Sequence, residues 1–132
     1  MSKDRPLRGF VVLVVDDDPD NRESAAMIIR QLGCDVLEAS SSGDALRVLA
    51  SDARVDLLFS DVAMPEEDGL TLARRAQERR PGMPIVLTTG YTTIVESVIE
   101  AGAVTLIKPY SVERLETVLI ERLTQGGQHT LS

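Results

Sequence analysis

The sequence predicts an α/β domain built on a doubly wound, parallel sheet, and three observations lead there. Five short apolar runs alternate strictly with stretches of helical periodicity. The first run, Val11-Val12-Leu13-Val14-Val15, shows no polar alternation, as expected of a strand buried on both faces. The connections are short, with no repeats, linkers or low-complexity segments. Right-handed crossovers then put the C-terminal end of every strand on one edge of the sheet. Ligands in such sheets bind at that edge.

In chain order, residues 1–9 are polar and read as a frayed lead-in. After the first strand, Pro19 suits a first helical turn, and Ala25, Ile28, Ile29 and Leu32 recur at helical spacing until Gly33 stops the helix. Residues 35–39, with Val36 and Leu37, form a short second strand. Ser40, Ser41 and Ser42 are cap candidates for a helix through Ala45, Leu46, Val48 and Leu49. Residues 55–60 form a third strand that ends on Asp61. Met64-Pro65-Glu66-Glu67-Asp68-Gly69 has turn chemistry, and a helix over about 70–79 follows until Pro81-Gly82. A fourth strand covers 84–88, then Thr89-Gly90-Tyr91 leads to a short helix over about 93–101 that Gly102 closes. Residues 104–107 are a fifth strand ending on Lys108-Pro109, and Ser111 caps a last helix to about Leu123. The expected organisation is a flexible segment 1–8, one domain over 9–124 and a flexible tail 125–132.

Composition narrows the function. A chain of 132 residues with 43% hydrophobic and 27% charged residues suits one soluble domain with a sizeable core. A net charge of −7 argues against a nucleic-acid face, which needs a basic excess. The single cysteine, Cys34, excludes an internal disulfide and reads as a small packing residue in a reducing compartment. The longest apolar run, Phe10 to Val15, is six residues, too short to span a bilayer, and no signal-peptide pattern opens the chain. A cytoplasmic protein without membrane contact is expected.

The strand ends carry the chemistry. Val15 runs directly into Asp16-Asp17-Asp18, and the other ends deliver Asp61, Thr88-Thr89 and Lys108, while the second strand ends blandly in Ala39-Ser40. Two carboxylates about 5 Å apart repel by roughly 3 kcal/mol at an effective dielectric near 20. A positive charge must offset that, and oxygen-only ligands suit a hard divalent cation, Mg²⁺ first of all. Lys108, one of only two lysines against twelve arginines, follows an apolar strand and faces the acids.

Four segments, "VLVVDDDPD", "LLFSDVAMPEEDGL", "PIVLTTGY" and "LIKPYSVERL", in order and near the expected separations, resemble the receiver domain of two-component response regulators. The resemblance covers residues from about Gly9 to Leu123. It implies a flavodoxin-like (βα)5 fold with strand order 2-1-3-4-5. It also implies that Asp61 accepts a phosphoryl group, that Asp16 and Asp17 bind Mg²⁺ with Asp61 and the carbonyl of Ala63, and that Thr89 and Lys108 contact the phosphoryl group. Asp18 is a third acid of unassigned role, and the Lys108–Pro109 bond is often cis in such domains. The implied donor is a histidine kinase or histidine phosphotransfer protein, with a homodimer possible and no nucleic-acid partner. No catalysis is implied beyond Mg²⁺-assisted self-phosphorylation and dephosphorylation.

Two departures set the chain apart within that family. Thr105 stands where receivers usually carry an aromatic three residues before the strand-five lysine. The interval from Thr89 to Lys108 is about three residues short, so the fourth helix loses nearly one turn. With Thr89-Gly90-Tyr91, these features resemble receivers attached to hybrid sensor kinases, and Tyr91 is a candidate for coupling to output. The first helix presents Asn21, Ser24, Met27 and Gln31 as a candidate donor-docking side, with the loop around Tyr110.

Two other readings stay open. Haloacid dehalogenase-type phosphatases use an aspartate nucleophile after the first strand, and Asp16-x-Asp18 fits that opening. They need a further acidic motif at a later strand end, whereas Glu113, Glu116 and Glu121 all fall on the last helix. A degenerate receiver used only as a docking module is the third reading. With no output domain in the sequence, a single-domain regulator or a receiver of a hybrid kinase is expected.

Overall fold

The computed structural model describes residues 6–65 and 67–129. Five strands, β1 (Val11–Val15), β2 (Asp35–Ala39), β3 (Leu57–Asp61), β4 (Ile85–Thr89) and β5 (Val104–Ile107), pair in the order β2-β1-β3-β4-β5. Every pairing is parallel. Five helices alternate with them: α1 (Pro19–Gln31), α2 (Ser42–Ala50), α3 (Gly69–Arg79), α4 (Val95–Glu100) and α5 (Val112–His129). The expected fold and strand order are both found.

The period-two geometry of a strand sorts the core into two layers. Leu13, Leu58, Ile85 and Leu87 point to one face, against Leu49 of α2, Leu72 and Ala76 of α3 and Val98 of α4. Val12, Val14, Leu57, Phe59, Val86 and Leu106 point to the other, against Ile29 of α1 and Leu115, Leu119 and Leu123 of α5. Both faces of β3 and β4 are buried throughout, which is why those runs lack polar alternation. Cys34 is buried in the α1/α5 layer as a packing residue.

Local chemistry sets the helix starts. Asp18 has extended backbone and its carboxylate accepts from the Asp20 N–H at 2.9 Å, with Pro19 in the first turn. Ser41 accepts from the Asp44 N–H at 3.1 Å, and Ser111 from the Arg114 N–H at 3.0 Å. Gly33, with φ of 104°, lets the chain leave α1 in the left-handed region that a side chain disfavours.

Three elements differ from expectation. The fourth helix begins with a 3-10 turn over Thr92–Ile94, so its α-helical part is only six residues. That first turn has no side-chain cap, and such uncapped turns tighten readily. The last helix continues through Gly126 and Gly127 to His129 rather than stopping near Leu123. At the other end, Leu7 lies before the expected domain start yet is fully buried, with its N–H donating to the Leu32 carbonyl at 2.9 Å. Of the segments expected to be flexible, residues 1–5 and 130–132 lie outside the described residues. Among the described residues, no helix is long and apolar enough to cross a membrane.

Candidate functional site

Parallel strands in register bring four strand ends to one edge. Asp61 is the last residue of β3 and pairs in register with Thr88 of β4. Asp16 follows β1, and its N–H donates to the Ala39 carbonyl of β2 at 3.2 Å. Lys108 follows β5, its N–H donating to the Thr89 carbonyl at 2.8 Å, and the Lys108–Pro109 bond is cis.

One carboxylate oxygen from each of Asp16, Asp17 and Asp61 lies within 4.8 Å of the others. The Lys108 ammonium sits 3.3 Å from an Asp61 oxygen. Asp16 and Asp61 are almost fully buried and Asp17 is exposed. Burial above all lifts the Asp16 carboxyl above its ordinary range, and the charges of Asp61 and Asp17 push the same way. The hydrogen bond from the Asp18 N–H (2.9 Å) and the Lys108 charge pull it back down. Burial likewise raises the Tyr110 phenol, helped by the Asp16 and Asp61 charges.

Three carboxylates facing one ammonium leave about two negative charges uncompensated, which matches a divalent cation. The donors are hard oxygens with one member open to solvent, a set that suits Mg²⁺ bound through a few carboxylates with waters retained. Ala63, whose carbonyl the sequence adds to this set, is exposed two residues past β3.

An open cavity of about 480 Å³ adjoins the acids. Asp16, Asp61, Thr88 and Lys108 line it, with Ser24 of α1 and Tyr110 on its flanks. Tyr110 packs edge-on against Phe59, ring centres 6.5 Å apart. Thr89 is not on this wall: it is buried, and its Oγ1 accepts from the Tyr91 N–H at 3.1 Å. Alternation along β4 is the reason, since Thr88 shares the face of Val86 and Thr89 that of Leu87.

The third acid has a plain role. Asp18 is the cap of α1 and is not among the three clustered carboxylates. Tyr91 is exposed, at 69%, beside the 3-10 turn. Met27 is exposed on α1, as are Asn21, Ser24 and Gln31. Sequence reasoning missed two residues at the edge. Gly69 packs against the Asp61 main chain, and Arg22 donates to the Asp16 carbonyl at 2.8 Å. The first had a signal in the Asp68-Gly69 pair at a helix start; the second had none.

Comparison with known proteins agrees with this architecture. The family model of the response regulator receiver domain matches residues 12–120. The transcriptional regulatory protein GlrR of Escherichia coli (strain K12) is 33% identical over 122 residues, which is 90% of this chain and 27% of GlrR. The transcriptional regulatory protein FixJ of Rhizobium meliloti (strain 1021) is 29% identical over 129 residues, 96% of this chain and 61% of FixJ. The CheY-like receiver domain protein of Methanospirillum hungatei JF-1 superposes with a TM-score of 0.85 at 27% identity, covering 91% of this chain and 98% of that one. The chain spans about a quarter of the length of the first curated relatives it matches. With its five-stranded fold and its acidic strand edge, the chain belongs to the response regulator receiver domain family.

Proposed function

We propose that this chain is a phosphoacceptor in which Asp61 takes a phosphoryl group from a histidine kinase or histidine phosphotransfer protein. The observation that carries the reading is the gathering of Asp16, Asp17 and Asp61 within 4.8 Å, with Lys108 on Asp61. An Asp61 oxygen forms the new O–P bond as the donor's N–P bond breaks. The electron pair returns to the imidazole nitrogen, which takes a proton from water. Water later attacks the phosphorus, releasing inorganic phosphate and restoring the carboxylate.

Asp16, Asp17 and Asp61, with the Ala63 carbonyl, would hold Mg²⁺. When bound, Mg²⁺ supplies charge neutralisation between the carboxylate and the phosphoryl oxygens. Lys108 leaves its pairing with Asp61 to meet an equatorial phosphoryl oxygen as charge builds there. The Thr89 oxygen accepts from the Tyr91 N–H, so its own hydrogen remains free to donate to the phosphoryl group. A shift of Thr89 toward that group draws the Tyr91 amide with it, which supports coupling through Tyr91 in the absence of an aromatic at Thr105. The reading assigns the chain to the cytoplasm, with no activity beyond gaining and losing this group and no direct nucleic-acid contact.

Incubation with Mg²⁺ and acetyl phosphate tests it. One phosphoryl group per chain, stable to acid, labile to base and lost in Asp61→Asn, is the expected result. Absence of modification in the wild-type chain refutes the reading, and turnover of a phosphate ester lost in Asp16→Asn points to a phosphatase instead.

A further inference from the structure

Arg22 stands in the first turns of α1, and the phosphoryl chemistry above gives it no part. One terminal nitrogen of its guanidinium donates to the main-chain carbonyl of Asp16 at 2.8 Å. Its Nε donates to a Glu38 oxygen at 3.2 Å, and the other Glu38 oxygen accepts from Arg30 at 3.2 Å. Glu38 projects from β2, one residue before the Ala39 carbonyl that takes the Asp16 N–H. The Asp16 peptide groups are therefore tied on one side to the edge of β2 and on the other to a guanidinium braced on the same strand.

That bracing matters because Asp16 lies just beyond the regular ladder of β1, at the start of a three-residue turn into α1. Without a cation, the clustered carboxylates repel and the cheapest relief is to swing this turn outward. A planar guanidinium can donate in two fixed directions at once, here to a carbonyl and to a carboxylate, which a lysine ammonium does less well. The Arg22 side chain is 19% exposed and that of Glu38 33%, so the contact with the Asp16 carbonyl is partly buried while the Glu38 brace lies within reach of solvent.

We propose that Arg22, braced by Glu38, is a positioning residue that holds the Asp16–Asp17 turn in its cation-binding form against carboxylate repulsion. The inference rests on the phosphoacceptor reading. Its action is on the main chain of Asp16, so it sets how tightly the divalent ion binds rather than contacting the phosphoryl group.

The test titrates Mg²⁺ alone into the full chain in 0.15 M KCl by calorimetry, and melts each variant in EDTA, so that affinity and folding are read separately. Arg22→Ala weakens Mg²⁺ binding by about tenfold, the effect typical of removing a group that orients a metal ligand. Glu38→Gln weakens it in the same direction by a smaller factor, although Glu38 does not belong to the carboxylate cluster, and Arg22→Lys falls between Arg22→Ala and wild type. These two milder variants carry the test if Arg22→Ala does not fold. Wild-type affinity in Arg22→Ala overturns the inference. So does weakening in Arg22→Ala with none in Glu38→Gln, because the guanidinium then acts by charge without its brace. A wild-type chain that shows no Mg²⁺ binding lost in Asp17→Asn overturns the phosphoacceptor reading, and this inference with it.

Discussion

Gly69→Ala tests how closely the β3–α3 loop is fitted around Asp61. A Cβ at this position would lie 2.4 Å from the Asp61 carbonyl oxygen, 2.9 Å from the Val62 Cα and 3.1 Å from the Asp61 carbonyl carbon. All three are main-chain atoms, so no flexible side chain can turn aside. Ordinary carbon–oxygen contacts begin near about 3.3 Å, so the main chain must move by roughly 1 Å. The Gly69 N–H, which donates to the Val62 carbonyl at 2.8 Å, opposes that movement. Overpacking of this kind costs about 1–3 kcal/mol, and backbone against backbone belongs at the upper end. Alanine's better helix propensity offsets up to about 1 kcal/mol, leaving a net loss of about 2 kcal/mol. In a domain of this size that lowers Tm by about 6–10 °C. The same displacement moves Asp61 relative to Asp16 and Lys108, and a misplacement of about 1 Å can slow a positioned reaction by about 100-fold. The assays are thermal melts and the rate of labelling by acetyl phosphate. Gly43→Ala is the control: its Cβ would meet only the Ser41 Oγ at 3.8 Å, and it should raise stability by about 0.4–1 kcal/mol. A Gly69→Ala protein that melts and labels like wild type refutes the reasoning.

Three further outcomes follow from the same geometry. Thr89→Val should slow labelling by about 100-fold, the usual effect of removing one donor to developing charge, with Thr88→Val much milder; the reverse order in acetyl phosphate kinetics would transfer the hydroxyl role to Thr88. Arg80 donates to the carbonyls of Leu49, Ser51 and Ala53 at 3.1, 3.1 and 2.9 Å, closing the end of α2, so Arg80→Ala should cost about 2 kcal/mol in denaturant melts while labelling keeps its rate. Burial, reinforced by the Asp35 and Asp56 charges, pushes the Cys34 thiol up to about 11. The unfolded chain ionises first, from its ordinary value near about 8.5. Stability from this group is therefore complete below that value and is lost as pH rises toward 11, by up to about 3 kcal/mol. A Cys34→Ala protein should lack that part of the alkaline decline, and equal declines in the two proteins would count against it.

Much of the fold was legible because two-sided burial leaves a direct mark on composition. Val11 to Val15, with four of five residues buried, could be neither an edge nor a half-wet strand. Asp16, Asp61 and Lys108 were legible for a related reason, since each charge closes an apolar run (with only Ser60 intervening before Asp61) and can be hydrated only where the strand leaves the sheet. What stayed hidden depends on distances across the chain. The Arg22–Glu38 contact joins residues sixteen apart on a helix and an edge strand, and no local pattern encodes it. Asp18 resembled its neighbours in composition, and only the backbone turn into α1 makes it a cap. Thr88 and Thr89 are identical letters, separated in role by which face of β4 each occupies.

The burial of Leu7 has a practical consequence. Its N–H is fastened to the Leu32 carbonyl at the far end of α1, while Leu123 packs in the same layer near the end of α5. Both helices start at the acidic rim and run away from it, so the two ends of the packed body emerge on the opposite side, roughly a strand's length of about 17 Å below. The acidic rim and the points where Leu7 and Leu123 are anchored thus lie at opposite poles of the packed body, so a load carried from those anchor points leaves the rim facing the solution.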